Sequence, residues 1–169
     1  MISGGTDNYN VINRFLKVIP LQEYKQITAI CGVYNGHFEE MVEIYQKYEN
    51  VEILSAVDNI EKYMQEADIA ISAGGTTLYE LCACGTPTLT YAIADNQLDN
   101  VRKFEDLQLM DYIGDMREDG TEENLMEGFQ LYKSFEKRNG RSILMRKLID
   151  GLGAKRIVEK LLIIKKDKN

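Results

Sequence analysis

Two glycine pairs, each followed by threonine, punctuate this chain: Ser3-Gly4-Gly5-Thr6 and Ala73-Gly74-Gly75-Thr76-Thr77. A turn without bulky side chains leaves backbone N–H groups bare. Where it opens a helix, the amides and the helix dipole favour an anion such as a phosphate. Neither turn is GxGxxG or GxxxxGK[ST], which disfavours common dehydrogenases and P-loop enzymes. Each pair alone reads more simply as a structural turn. Together they allow two phosphates, or a phosphate and a sugar, on one edge. Glu80 falls about one turn into the helix after the second pair. A carboxylate there can accept hydrogen bonds from vicinal ribose hydroxyls; a solvated helix carboxylate is the competing reading. Asp95-Asn96-Gln97 offers amides and a carboxylate to sugar hydroxyls, or Asp95 simply N-caps the next helix.

Little else in the sequence is built for chemistry. His37 is the single histidine. A general base is one use for it, but no acid or nucleophile is paired with it, and a polar helix-start residue is the favoured reading. Cys82-Ala83-Cys84 sits on a predicted helix, so the two thiols point to different faces and read as small buried residues. No metal-ligand cluster, Ser-His-Asp pattern or aromatic-basic interleaving is present. The chain displays a binding half more clearly than a catalytic half. No catalytic residue, metal or cofactor is assigned.

The elements that must position these residues alternate. Asp68 to Ser72 is an apolar run suited to a strand buried on both faces. Thr76 and Thr77 are expected to cap a helix from Leu78 to Cys84, which Gly85 and Pro87 end; Thr88 to Ala92 is the next strand. Upstream, Met1-Ile2-Ser3 reads as the end of a strand, Asn8 to Val18 as a helix stopped by Pro20, and Gln26 to Cys31 as a strand. A helix over His37 to Tyr48, a strand over Val51 to Leu54, and a helix to Glu66 capped by Asp58 follow. Downstream come a helix from Asp95 to Leu107 and a short strand, Asp111 to Ile113. From Thr121 a helical tail runs to Tyr132, with a break at Asn139-Gly140, then Arg141 to Ile149 and Ala154 to Ile164. Strand-helix alternation with short links implies α/β: a Rossmann-like, doubly wound parallel sheet in three layers, α/β/α, with a helical C-terminal tail.

Length and composition bound the rest. The chain has 169 residues, 44% hydrophobic and 28% charged, which suits one domain. No apolar run of about 18 residues exists, so no spanning helix is expected. Three cysteines suit a reducing cytoplasm. The net charge of −7 is uneven. Residues 1–132 carry 8 basic and 23 acidic side chains, a net −15, and residues 133–169 carry 12 and 4, a net +8. The acidic body argues against a nucleic-acid surface. The basic tail could face a membrane or another domain; solvated helix faces are the default. Because the chain begins in mid-strand, residues 1–169 are expected to be one domain of a longer protein, or to start at a cut boundary, with tail helices from about 121.

The run from Ala67 to Thr88, with its GGTTLYE core, followed by Asp95-Asn96-Gln97, resembles the C-terminal domain of GT-B nucleotide-sugar enzymes. It is most similar to the UDP-sugar hydrolases of pseudaminic acid biosynthesis (SpsG-like), which act on UDP-2,4-diacetamido-2,4,6-trideoxy-β-L-altropyranose. MurG-type glycosyltransferases are wider relatives. The resemblance implies a UDP or UDP-sugar ligand. It places Gly4, Gly5 and Thr6 at the interdomain cleft and diphosphate, and the Val57 backbone at the uracil. It gives Gly74, Gly75, Thr76 and Thr77 to the diphosphate, Glu80 to the ribose, and Asn96 and Gln97 to the sugar. It also implies a separate N-terminal domain that carries the catalytic histidine, a role His37 does not inherit. The chain is then not expected to turn over substrate alone. The alternatives are the donor half of a UDP-sugar glycosyltransferase, or a non-enzymatic nucleotide- or partner-binding module.

Overall fold

The computed structural model describes the backbone of residues 1–166 and the side chains of residues 1–164. Among the described residues five short strands form where apolar runs meet turn residues: β1 (Ile27–Cys31), β2 (Val51–Ser55), β3 (Ala70–Ala73), β4 (Thr88–Ala92) and β5 (Asp111–Asp115). β1 pairs with β2, and β4 lies between β3 and β5, all in parallel. The segment 1–3 joins the two groups. Ile2 bridges Ile30 on one side and Ser72 on the other, both in parallel. Ile30 donates to the Met1 carbonyl at 2.8 Å and Ile2 donates to the Ile71 carbonyl at 2.9 Å. The spatial order is therefore β2, β1, segment 1–3, β3, β4, β5. Chain order reverses direction between segment 1–3 and β3, and that reversal is where open α/β sheets bind ligands.

Helices cover both faces. α1 (Val11–Val18), α2 (Phe38–Tyr45) and α6 (Thr121–Tyr132) share one core, in which Phe15 meets Tyr91 edge-on at 5.4 Å between ring centroids. α3 (Ile60–Glu66), α4 (Thr77–Cys84), α5 (Asp95–Asp106) and α7 (Phe135–Leu148) share the other, centred on Leu78, Leu81, Cys82 and Val101. All of β3 and β4 is buried, as a strand covered on two faces requires. This confirms the expected three-layer, doubly wound sheet with a helical C-terminal end. α8 (Gly153–Lys166) follows α7 and buries none of its described side chains.

Several local expectations are corrected. α1 starts at Val11 rather than Asn8, because Asp7 and Asn10 both adopt a left-handed conformation, each at φ 50°, and delay the helix. Asp58 does not cap α3; Asn59 takes that position and makes no side-chain cap bond. Thr76 likewise occupies the N-cap of α4 without a side-chain cap bond. Asn139-Gly140 does not break the tail. α7 runs through Gly140 and starts after Ser134, whose hydroxyl accepts from the Lys137 amide at 3.2 Å. A glycine inside a helix costs about 1 kcal/mol, and α7 offsets it by docking: Met145 is fully buried against the α4 core.

The basic tail has an internal use too. Asp111 receives Arg141 at 2.7 Å and Lys137 at 3.3 Å. Arg138 donates to the Tyr132 carbonyl at 2.6 Å and Arg146 to the Cys84 carbonyl at 2.9 Å. These contacts tie α7 to the rest of the fold. The cysteines are structural: burial pushes the Cys82 thiol up to about 12, and burial together with the Asp7 charge pushes Cys31 up to about 11. Among the described residues no helix is long and apolar enough to cross a membrane.

Candidate functional site

A parallel sheet puts the carboxyl end of every strand on one edge. The residues singled out by type and spacing, and Val57, which the resemblance added, all fall there. Gly4, Gly5 and Thr6 follow segment 1–3, Val57 follows β2, Gly74 to Thr77 follow β3, and Asn96 and Gln97 follow β4. The two glycine turns flank the point where the sheet order reverses. Val57 starts at the far strand, but α3 packs beside α4. The segment 56–59 must therefore cross the edge toward the second turn to reach it.

The second turn is built to leave its amides open. Gly74 donates to the Tyr91 carbonyl at 2.8 Å, which anchors it to β4. A Cβ on Gly74 would overlap Val101 Cγ1 and lie 3.1 Å from Gln97 Cβ, so α5 can seat against the turn only if this residue is glycine. A Cβ on Gly75 would meet nothing within 4 Å, so its face is turned to open space. Among the described residues neither the Thr76 nor the Thr77 N–H meets an acceptor. These two amides and the positive end of the α4 dipole are available to an anion. Glu80 is exposed one turn on, in the first turn of α4.

The first turn is closed. Asp7 folds back over α1 and accepts from the Val11 amide at 2.7 Å and the Ile12 amide at 3.2 Å. Asp7 is 2% exposed, and its carboxylate occupies the helix end that an anion would need. The turn itself is exposed at Gly4, Gly5 and Thr6. A neighbouring loop supports it: a Cβ on Gly32 would overlap the carbonyls of Gly4 and Gly5, so only glycine allows the loop after β1 to approach. His37 lies in that loop region, at the N-cap of α2, with Nδ1 3.9 Å from Glu40.

Two side chains missed in the sequence hold the site in shape. Asn100, on α5, donates from Nδ2 to the Gly74 carbonyl at 2.9 Å and the Gly75 carbonyl at 3.4 Å, and its Oδ1 accepts from Tyr79 at 3.1 Å. One amide thus clamps the second turn between α4 and α5. Its available signal was a polar residue beside Val101, one turn before Phe104, on the inward stripe of a helix. Arg117 lies just beyond β5, paired with Asp115 and, at 2.7 Å, with Asp95 at the start of α5. Those carboxylates raise its pKa. Asp95 therefore anchors a guanidinium rather than capping α5. Gln97 accepts the Ile93 amide through Oε1 at 3.0 Å, fixing the loop and leaving its NH2 group for other contacts; Asn96 is exposed beside it. Among the described residues no group of His, Cys, Asp and Glu could hold a metal ion.

Comparisons with known proteins bear on the family and the fold. Residues 1–147 match the glycosyltransferase family 28 C-terminal domain. The UDP-N-acetylglucosamine–N-acetylmuramyl-(pentapeptide) pyrophosphoryl-undecaprenol N-acetylglucosamine transferase of Campylobacter hominis is 33% identical over 171 residues, covering 96% of this chain and 47% of that protein. The transferase of the same name from Helicobacter pylori strain Shi470 is 36% identical over 113 residues, covering 60% of this chain and 31% of its own length. The chain thus spans about half the length, or less, of these curated relatives. Acinetobacter baumannii MurG superposes with a TM-score of 0.69 at 16% identity, covering 94% of this chain and 48% of that one. A putative UDP-N-acetylglucosamine 2-epimerase from Listeria monocytogenes gives 0.70 at 13% identity, covering 99% and 45%. These two likenesses speak to fold alone. The curated relatives named here are transferases, not hydrolases of the SpsG-like kind, which corrects the subgroup expected from the motifs. With the match spanning most of its length, this chain belongs to the glycosyltransferase family 28 C-terminal domain family.

Proposed function

We propose that this chain is the donor-binding half of a UDP-sugar glycosyltransferase. The observation that carries the reading is the open N-terminus of α4. The Thr76 and Thr77 amides stand free at the reversal point of the sheet, one turn from an exposed Glu80. In this reading the diphosphate lies on Gly74, Gly75, Thr76 and Thr77, with Gly4, Gly5 and Thr6 as the opposite rim. Glu80 accepts from the ribose hydroxyls, the Val57 backbone meets the uracil, and Asn96 and Gln97 meet the sugar. During transfer an acceptor hydroxyl attacks the anomeric carbon, the bond to the diphosphate breaks, and UDP departs with both bonding electrons. The amides and dipole of α4 stabilise the charge that grows on the departing phosphate. The relatives' names describe N-acetylglucosamine transfer to an undecaprenol-linked acceptor; the same donor class is proposed here. The acceptor and the base that deprotonates it belong to a second half, on the opposite side of the cleft.

A second reading keeps the site and changes the attacking group. In an SpsG-like hydrolase, water replaces the acceptor hydroxyl and a free sugar is released. The observation that favours it is the pairing of GGTTLYE with the DNQ loop. Calorimetric titration of the chain with UDP, with ADP as control, tests the shared site. UDP-selective binding, weakened about tenfold or more in Glu80→Ala through loss of charge-assisted hydrogen bonds, is the expected result. Equal affinity for ADP, or no effect of Glu80→Ala, would sink the ribose and uracil assignments. Incubating the whole enzyme with a UDP-sugar, with and without a lipid-linked acceptor, then separates transfer from hydrolysis by the product formed.

A further inference from the structure

The sheet has a gap at its centre. At the amino edge, opposite both glycine turns, a cleft of about 500 Å³ lies between β1 and β3 below segment 1–3. Ile19 and Phe129 wall it on one face and Met64 and Leu81 on the other, so it passes through the sheet layer from one core to the other. Its two sides are open ladder edges. Ile27 donates to the Asn50 carbonyl at 2.8 Å, which turns it toward β2 and leaves Gln26 and Thr28 facing the cleft. Ala70 donates to the Pro87 carbonyl at 2.8 Å, toward β4, which leaves Ile69 and Ile71 facing the cleft from the other side. Among the described residues the Thr28 and Ile71 N–H groups meet no acceptor there, and the Gln26 and Ile69 carbonyls receive no donor. Backbone groups inside a fold require partners.

Register fixes the size of what fits. Ile2 is level with Ile30 and Ser72. Residues 26–28 and 68–70, which line the cleft, lie two to four residues earlier on each side, level with three positions ahead of Met1. Met1 already behaves as a strand residue. Its carbonyl accepts from Ile30 at 2.8 Å, and its amino nitrogen donates to the Thr28 carbonyl at 2.6 Å, as a ladder amide does. Burial pulls this ammonium down to about 6. A peptide bond at the same place keeps the hydrogen bond and removes the buried charge.

We propose that the cleft seats three residues of extended polypeptide, parallel to β1 and β3, whose last carbonyl is bonded to the Met1 nitrogen. The family matched is a C-terminal domain, so the source of this strand is sequence that precedes it in a longer protein. The position just ahead of Met1 donates to the Ile69 carbonyl and accepts from the Ile71 amide. The position before it donates to the Gln26 carbonyl and accepts from the Thr28 amide. Two residues thus satisfy all four open groups. Side chains alternate along a strand, so the first points with Ile2 toward Met64 and Leu81, and the second with Met1 toward Ile19 and Phe129. Both are therefore apolar and neither is proline. This inference is independent of the donor-site reading.

The test extends the full chain, behind an initiator methionine, in three forms. One carries threonine, valine and isoleucine ahead of Met1, a second glycine, serine and glycine, and a third threonine, valine and proline. All three replace the Met1 ammonium by a peptide bond, so their differences report filling and pairing alone. The first form should unfold about 5 °C or more above the second, because two apolar side chains are buried. It should also slow hydrogen exchange at the Thr28 and Ile71 amides at least about tenfold. The proline form should lose most of the gain in midpoint. Equal midpoints in the first two forms overturn the proposal, as does unchanged exchange at Thr28 and Ile71. A proline form as stable as the first also overturns it, since the cleft would then be taking apolar bulk and not a paired strand.

Discussion

The two glycine turns read alike in the sequence and differ in what they leave open. One follows segment 1–3 and the other follows β3, on either side of the reversal of the sheet. At the first, Asp7 accepts from Val11 and Ile12 and fills the end of α1. At the second, no side chain caps α4, and the Thr76 and Thr77 amides stay free. A Gly-Gly-Thr run therefore does not by itself make an anion site. The occupancy of the helix end behind it does, because a carboxylate already there satisfies the amides and cancels the dipole.

Valine substitution tests that difference most directly. A Cβ meets nothing within 4 Å at either Gly5 or Gly75, so neither change should disturb the fold. Gly75→Val projects into the space over the free amides and should lower UDP affinity on the order of a hundredfold, about 2.7 kcal/mol. Gly5→Val touches only the rim and should cost less than about tenfold. Titration calorimetry beside thermal melts reads both. Equal losses at the two sites would break the distinction between the turns.

Removing the carboxylate at the closed turn should make it resemble the open one. Asp7→Ala removes a carboxylate that accepts from two amides at the start of α1 and should cost about 1–2 kcal/mol of stability in chemical denaturation. It should also make the protein more responsive to sulfate, since α1 then offers bare amides of its own. Unchanged stability would mean that Asp7 is not what closes the first turn.

What the sequence disclosed follows from how local each signal is. β4 and α5 were legible because Pro87, buried apolar runs and helical periodicity mark them within a few residues. The edge on which Gly74, Glu80, Asn96 and Gln97 meet was legible too, since parallel strands leave only one place for their loops. Asp7 was not, because its capping depends on left-handed backbone at Asp7 and Asn10 that nothing nearby dictates. Asn100 was not, because its partners lie 25 and 26 residues away. The passage of α7 through Gly140 was hidden for the same reason: docking against α4 outweighs a local helix breaker.

Asn100 offers a finer test of the second turn. Its amide holds the carbonyls of Gly74 and Gly75, which fixes the direction of the two amides that follow. Asn100→Ala should leave the open site in place but poorly aimed. A loss of UDP affinity of about tenfold or less is expected, with about 1 kcal/mol of stability lost alongside it. A loss of stability with unchanged affinity would show that the turn keeps its shape without the clamp.

The smallest effect on the comparison should come from Asp111, which lies at the amino end of β5, at the edge opposite both turns. Burial alone would raise its pKa. The Tyr132 hydroxyl at 2.6 Å and the charges of Arg141 and Lys137 outweigh burial and hold it below the usual carboxylate range. A depressed carboxylate contributes stability above its unfolded pKa, about 3.9, and loses that contribution as pH falls through its folded pKa. Asp111→Asn should therefore cost about 1 kcal/mol or somewhat more near neutral pH, because Arg141 and Lys137 lose their partner. The gap between parent and variant should narrow below about pH 4, as the parent carboxylate itself becomes neutral. Urea unfolding at stepped pH reads that convergence. UDP affinity at neutral pH should not move, since Asp111 anchors α7 and neither turn rests on that anchor. If affinity fell in step with stability, the turns would be responding to the global stability of the fold, and the differences found at Gly75 and Asn100 would lose their local meaning.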